Sequence, residues 1–342
     1  MLELSHDRTA RPQGSVQISE VEAAGRLYRF NWFLIAVVLV VFGLSLLLTN
    51  FYIHPRNYLI VFAIAAVYGS FGWYNAVSPA RQNPRIAFPL TAIAQMTVIL
   101  PVMTSITYIA TSANLPLVDA NLLAWDRALG LDFRSYLNFI NDRHWLIWVL
   151  AAGYRAIAWP LVAIVVLLPL AGQYRRVAGF ICAFLLALVA TTCISTLLPA
   201  TGVYGTIGLV AADFPNVDPQ SYYDGMHEIP ALRDGSLRGL DVFQLGGVLT
   251  FPSFHAASAI LYAWAFWPIR WFMPANLLCN GAMILATPVG GGHYFVDVIA
   301  GIALAVACIH AARRVGWALA PEGVRHGSGL RPDPAGRLRP AA

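Results

Sequence analysis

Eight apolar runs dominate this chain, and they constrain its fold more than any other feature. They cover roughly 30–49, 58–73, 86–110, 145–170, 177–198, 254–267, 275–289 and 294–315. Crossing the hydrocarbon of a bilayer takes about 20 apolar residues, so most of these runs reach across and the sixth and seventh are short. Backbone N–H and C=O groups in lipid must be satisfied within their own segment, which leaves a helical bundle as the architecture. Composition agrees: 58% of residues are hydrophobic and only 11% charged, against about a quarter charged in soluble domains. The expected fold is all-α and polytopic, with about eight transmembrane helices. Pro160 should kink the fourth of them.

The runs also set the domain organisation. Residues 1–25 are polar and lack an apolar core with a cleavage site, so they read as a cytoplasmic tail and not a signal peptide. A single membrane domain is expected over 26–317. Residues 318–342 are rich in Pro, Gly and Arg with nothing to bury, and read as disordered.

All 22 basic residues are Arg, and the formal net charge is +5. A mechanism that needs a lysine is therefore excluded. The basic balance fits charged loops of a membrane protein, and nothing in it calls for nucleic acid. With eight spans both termini share a side, and that side holds 15 of the 22 arginines. Short arginine-rich loops mark the cytoplasm. The loops 112–144 and 199–252, together with the segments carrying His255 and His293, then face outward. The first loop carries Asp119, Asp126 and Arg127 among apolar residues at helical spacing, as an interfacial amphipathic helix or a solvated connector would. The second is rich in Pro, Gly, Tyr and Asp, which points to an ordered cap with turns. Cys182, Cys193, Cys279 and Cys308 sit in apolar runs without paired spacing and read as small buried residues.

Chemistry concentrates in two short stretches, Thr250-Phe-Pro-Ser-Phe-His-Ala-Ala257 and Gly290-Gly-Gly-His-Tyr-Phe-Val-Asp297. His255 and His293 each fall within about a turn of a helix N-terminus, where free N–H groups and the helix dipole favour an anion. Ser253 adds a hydroxyl, and Gly290, Gly291 and Gly292 allow backbone amides to approach a ligand closely. Two imidazoles in a phosphate cradle can divide the work, one attacking phosphorus and the other protonating the leaving oxygen. His293 and Asp297 lie four apart, so on a helix the carboxylate can hold the imidazole in one tautomer. The competing reading makes each histidine a packing or helix–helix hydrogen-bonding residue. A zinc site would need three or four ligands, and neither HExxH nor CxxC occurs, so no metal is expected.

Pro252-Ser-Phe-His255 and His293-Tyr-Phe-Val-Asp297 resemble the second and third signature motifs of the type 2 phosphatidic acid phosphatase superfamily. The forms FPSFHAA and GGHYFVDVIAG are most similar to the branch that includes inositol phosphorylceramide synthases and many bacterial relatives. The stretch DANLLAWDRALGLD resembles a segment of that branch more weakly. The resemblance implies a phosphatase/haloperoxidase-type catalytic helix core in a bacterial-type plasma membrane. It makes His293 the nucleophile of a phosphohistidine, Asp297 its orienting partner, His255 the general acid and Ser253 a phosphate ligand beside Gly291 and Gly292. It implies a lipid phosphate as substrate, with water or an alcohol as acceptor, and no cofactor.

Two departures bear on phosphate binding. The first motif of the superfamily needs a Lys, which this chain lacks, and Ala286-Thr287 replaces the usual Ser-Arg pair ahead of His293. Arg155, central in the fourth apolar run, and Arg233 and Arg238 in the second loop are the candidate replacements. A vanadate-dependent haloperoxidase shares the constellation but is less apolar. From a different class, a transporter would use Arg155 and the histidines to pass an anionic or lipid substrate without phosphoryl chemistry. Transporters often show inverted repeats, and none is visible.

Overall fold

A computed structural model describes residues 13–78, 82–321, 330–332 and 338–340. Helix α1 (Gln13–Leu48) leads through β1 (Tyr52–Ile53) to α2 (Pro55–Val77) and α3 (Pro84–Thr111). Two short helices follow, α4 (Asp119–Ala128) and α5 (Phe133–Asn141). Next come α6 (His144–Arg155), α7 (Ala158–Leu170) and α8 (Tyr174–Leu197). The second loop folds into α9 (Val203–Thr206), α10 (Gln220–Asp234) and β2 (Gly239–Leu240). The chain then continues with α11 (Phe254–Phe266), α12 (Met273–Gly291), α13 (Phe295–Ala318), β3 (Leu330–Pro332) and β4 (Leu338–Pro340).

The all-α membrane architecture is as expected, but the span count changes. Among the described residues six helices are long and apolar enough to cross a bilayer, and α6 with α7 makes a seventh if the pair, bent by 53°, counts as one. The bend falls at residues 156–157, just before Pro160, whose ring excludes the carbonyl four residues earlier and whose nitrogen donates no hydrogen bond. Helix α11 has only 13 residues, a rise of about 20 Å against about 30 Å of hydrocarbon. Its C-terminal carbonyls at Trp264 and Ala265 meet the Arg176 guanidinium, which also lies 4.2 Å from the Trp264 ring centroid. A short helix anchored at the arginine-rich end leaves its N-terminus, with Ser253 and His255, recessed inside the bundle.

The expected tails also change. Helix α1 begins at Gln13, Ala23 and Ala24 are buried, and Ala23 packs on Ala320. The helix therefore runs through half of what reads as a tail; residues 1–12 lie outside the described residues. At the other terminus two Leu-Arg-Pro triplets pair antiparallel, Leu330 opposite Pro340. That replaces the expected disorder for those six residues, and the rest of 322–342 lies outside the described residues. Of the cysteines, Cys182 and Cys308 are buried, whereas Cys193 and Cys279 are exposed on the outer face of the bundle. An apolar thiol is compatible with either side of a helix that meets lipid.

Two cores organise the molecule. The larger runs through the bundle of α1, α3, α7, α8, α11 and α13 around Phe180, Phe184, Ile164 and Tyr262. The smaller gathers Leu122, Phe133, Tyr204, Phe214, Tyr222, Val289 and Tyr294 from the short helices and the ends of α12 and α13. This second core holds the loops at one end of the bundle. There β1 pairs in parallel with β2, Asn57 Nδ2 donates to Asp241 Oδ1 at 2.7 Å, and Val118 N donates to Pro199 O at 2.9 Å. At the opposite end Arg175 pairs with Glu20 at 3.4 Å and Arg26 Nη1 donates to Leu319 O.

Candidate active site

The two histidine segments are joined through backbone before any side chain meets. Ser253 N donates to Asp297 O at 3.0 Å. One turn further along α13, a Cβ placed on Gly301 would stand 2.2 Å from Ser253 O. No side chain fits there, so Gly301 is what lets the start of α11 lie directly on α13. Ser253 caps α11, its hydroxyl accepting from Ala256 N at 3.4 Å, and it is fully buried.

His293 lies between the end of α12 and the start of α13, with its N–H on Pro288 O at 3.1 Å. Its Nδ1 stands 3.2 Å from Asp297 Oδ2, which also accepts Tyr294 N at 2.9 Å. The carboxylate therefore caps the helix and orients the imidazole together. An acceptor at that distance places the proton on Nδ1 and leaves the Nε2 lone pair on the ring's other edge. That edge faces Gly291: a Cβ there would meet His293 Cδ2 at 2.6 Å, Nε2 at 2.9 Å and Tyr154 Oη at 2.6 Å. Asp297 is fully buried, and its Oδ1 has no hydrogen-bond partner among the described residues.

His255 and His293 line one cavity, closed by Tyr154, Thr201, Tyr222, Thr250, Gly291 and the α10 residues Gly225 and Ile229. The cavity is small, about 80 Å³, so it suits a reacting head group and not a whole lipid. The His255 ring stacks closely on Tyr154, centroids 4.1 Å apart and planes 9° apart.

The glycines serve another purpose than the expected amide cradle. Gly290 and Gly291 complete the last turn of α12 and Gly292 adopts the left-handed cap, φ +67°, with its N–H on Pro288 O. At a helix C-terminus the N–H groups point back into the helix, so they are not available to an anion. What the glycines supply is room. Cβ atoms would stand 2.7 Å from the Tyr154 ring at Gly290 and 2.5 Å from Tyr222 at Gly292. The start of α13 is likewise no anion site, because carboxylates of this chain already occupy its N–H groups.

Asp297 takes one of those N–H groups, and the first loop supplies the acceptor of the next two, a role that sequence reading missed. Asp126 of α4, 1% exposed, accepts Phe295 N at 2.9 Å and Val296 N at 2.8 Å. Asp119, one helical face and seven residues earlier, accepts Thr201 N, Gly202 N at 2.9 Å and Tyr294 Oη at 2.9 Å. Burial pushes the Asp126 carboxyl above the usual carboxylate range, while its two backbone donors hold it down. Helix α4 thus buries Asp119, Leu122 and Asp126 and exposes Trp125. Its acidic face turns inward, which corrects the reading of a surface helix or solvated connector. The i, i+7 spacing of Asp119 and Asp126 was the available signal, but a surface helix shows the same spacing.

None of the three candidate arginines lines the histidine cavity. Arg238 Nη1 donates to Leu232 O at 2.8 Å and Leu237 O at 3.0 Å, and its guanidinium lies 4.6 Å from the Phe51 centroid. Arg233 Nη2 donates to Leu115 O at 3.0 Å. Arg155 lines a neighbouring cavity whose wall includes Tyr154 and Gly290.

Comparison with curated proteins and with solved structures found no match. A family model described as the PAP2 superfamily matches residues 120–311, more than half of the chain, from α4 almost to the end of α13. That span takes in both histidine segments, the aspartates that cap α13 and the cavity between them. The chain therefore belongs to the PAP2 superfamily and is an integral membrane enzyme of the phosphatase or phosphotransferase kind.

Proposed function

We propose that the protein transfers phosphoryl groups from lipid phosphate esters through a phosphohistidine on His293. The observation that carries this reading is the shared cavity: His293 and His255 both line it, and Asp297 occupies the first imidazole's Nδ1. The His293 Nε2 lone pair forms the P–N bond while the ester P–O bond breaks. His255 gives its proton to the departing alcohol oxygen. It then takes a proton from water, or from an alcohol acceptor, as that oxygen attacks phosphorus and releases His293. Hydrolysis or phosphotransfer of the inositol phosphorylceramide synthase type follows from which acceptor enters. The Asp297 carboxylate stabilises the imidazole as positive charge develops on it.

Thr201 and Thr250 line that cavity and are our choice to meet phosphate oxygens, along with the buried Ser253 at the start of α11. Of the three arginines, Arg155 is our choice for the missing cation. It follows Tyr154 directly and borders the adjoining cavity, whereas Arg233 and Arg238 are bonded to backbone carbonyls. The arginine asymmetry supports placing the site toward the non-cytoplasmic side of a bacterial-type plasma membrane, with both termini inside.

The test is trapping. Incubation with a lipid phosphate carrying labelled phosphorus should give acid-labile, alkali-stable protein label, and His293→Ala should remove both label and turnover. Full turnover by His293→Ala returns the histidine to a packing role.

A further inference from the structure

Beside the histidine cavity lies a second one that shares Tyr154 with it and borders Gly290 where the first borders Gly291. One face of α6 lines it: Ile147, Leu150 and Ala151 are apolar, and Tyr154 and Arg155 follow on the same face. These positions recur at the three- and four-residue intervals that bring side chains onto one stripe of a helix. Ile140 of α5 and Ala286 and Val289 of α12 complete the apolar wall, and Asp218 stands at its rim. Trp148, 76% exposed, lies seven residues before Arg155 and three before Ala151, so the stripe runs along the edge of the lipid-facing surface, where an apolar chain can enter from the side. Polarity therefore changes along the stripe, from aliphatic residues to Arg155 and to Tyr154, which stacks on His255.

We propose that this second cavity holds the first methylenes of the apolar chain of the phosphoryl-donating lipid phosphate. The assignment rests on the phosphoryl-transfer reading and adds the chain's location. A lipid phosphate carries charge at one end and hydrocarbon at the other, and the two adjoining compartments divide in the same way. Tyr154 fixes the boundary, because its ring is pressed on Gly290 at one side and stacked on His255 at the other. Phosphate on the histidine side then lies within reach of the long Arg155 side chain, while the chain runs past Ala151 and Leu150 toward Ile147.

Alkyl phosphates of two to twelve carbons, presented in mixed micelles at fixed surface concentration, test this. In the native enzyme kcat/KM should climb about fourfold for each of the first methylenes buried, then level off. Ala151→Phe, which fills the stripe, should flatten that climb. Ile147→Ala, which lengthens the cavity, should move the plateau to longer chains. Because the readout is a ratio between chain lengths, a general loss of folded enzyme cannot imitate it. The same climb in both variants as in the native enzyme overturns the assignment, and so does an equal loss at every chain length. A climb seen only when a long-chain alcohol acceptor is added also overturns it, since the chain would belong to the acceptor. If the native enzyme cleaves none of the esters, the phosphoryl-transfer reading itself fails and the chain site falls with it.

Discussion

Asp126 offers a sharp test of how the active site is positioned, because it touches none of the proposed reacting groups. Its two oxygens take the N–H groups of Phe295 and Val296, at 2.9 and 2.8 Å. Those residues open α13, two and three positions after His293. In Asp126→Ala both donors lose their acceptor in a site where the native side chain is 1% exposed. A buried donor left unsatisfied costs about 1–3 kcal/mol, so the pair amounts to about 2–6 kcal/mol, with the lost anion at the positive helix end included in the upper part of that range. The first turn of α13 can recover some of this only by shifting toward another acceptor. A shift of about 1 Å at a reacting group costs about a hundredfold in rate. Asp126→Ala should therefore unfold at lower temperature in detergent and release phosphate from lipid phosphates about a hundredfold more slowly, through kcat more than KM. Asp126→Asn keeps one carbonyl acceptor and should fall between. Native rate and native unfolding temperature in Asp126→Ala would refute the argument, since α4 would then be a connector after all.

Three further outcomes are expected. Gly291→Ala puts a methyl 2.6 Å from both the His293 ring and Tyr154 Oη, and should cost at least tenfold in turnover; a native rate would show that the ring is free to move away. Arg155→Leu should weaken inhibition by vanadate several-fold if the guanidinium meets phosphate, and unchanged inhibition would return Arg155 to a structural role. In a cysteine-free background, Asn216→Cys should react with an impermeant thiol reagent in whole cells while Trp271→Cys, on the arginine-rich end, should not. The reverse pattern would overturn the outward-facing site.

Much of the architecture was legible because it depends on local properties of the chain. The long runs at 86–110, 177–198 and 294–315 became α3, α8 and α13 with small changes at their ends, since lipid leaves an apolar segment of that length no other way to satisfy its backbone. The sixth run at 254–267 was just as visible, but its shortness acquired meaning only when Trp264 was seen docked on Arg176. His255, His293 and Asp297 stood out by residue type and spacing. The spacing of four in the last pair is realised as the 3.2 Å contact of Nδ1 with the carboxylate. Gly290, Gly291 and Gly292 were singled out for the wrong physical reason: glycine identity does not reveal whether amides or space are being provided.

What the sequence determined by itself was the membrane bundle and the set of groups able to do chemistry, because hydropathy, helical period and residue type are properties of short stretches. What only the tertiary structure decided was their assembly. Asp119 and Asp126 meet residues 201–202 and 294–296 across 82 to 175 positions of sequence, and Tyr154 reaches His255 across another hundred. No local pattern distinguishes an aspartate that caps a distant helix from one that faces water. The difference lies in which N–H groups the folded chain leaves without an acceptor, and that is settled only when the helices pack.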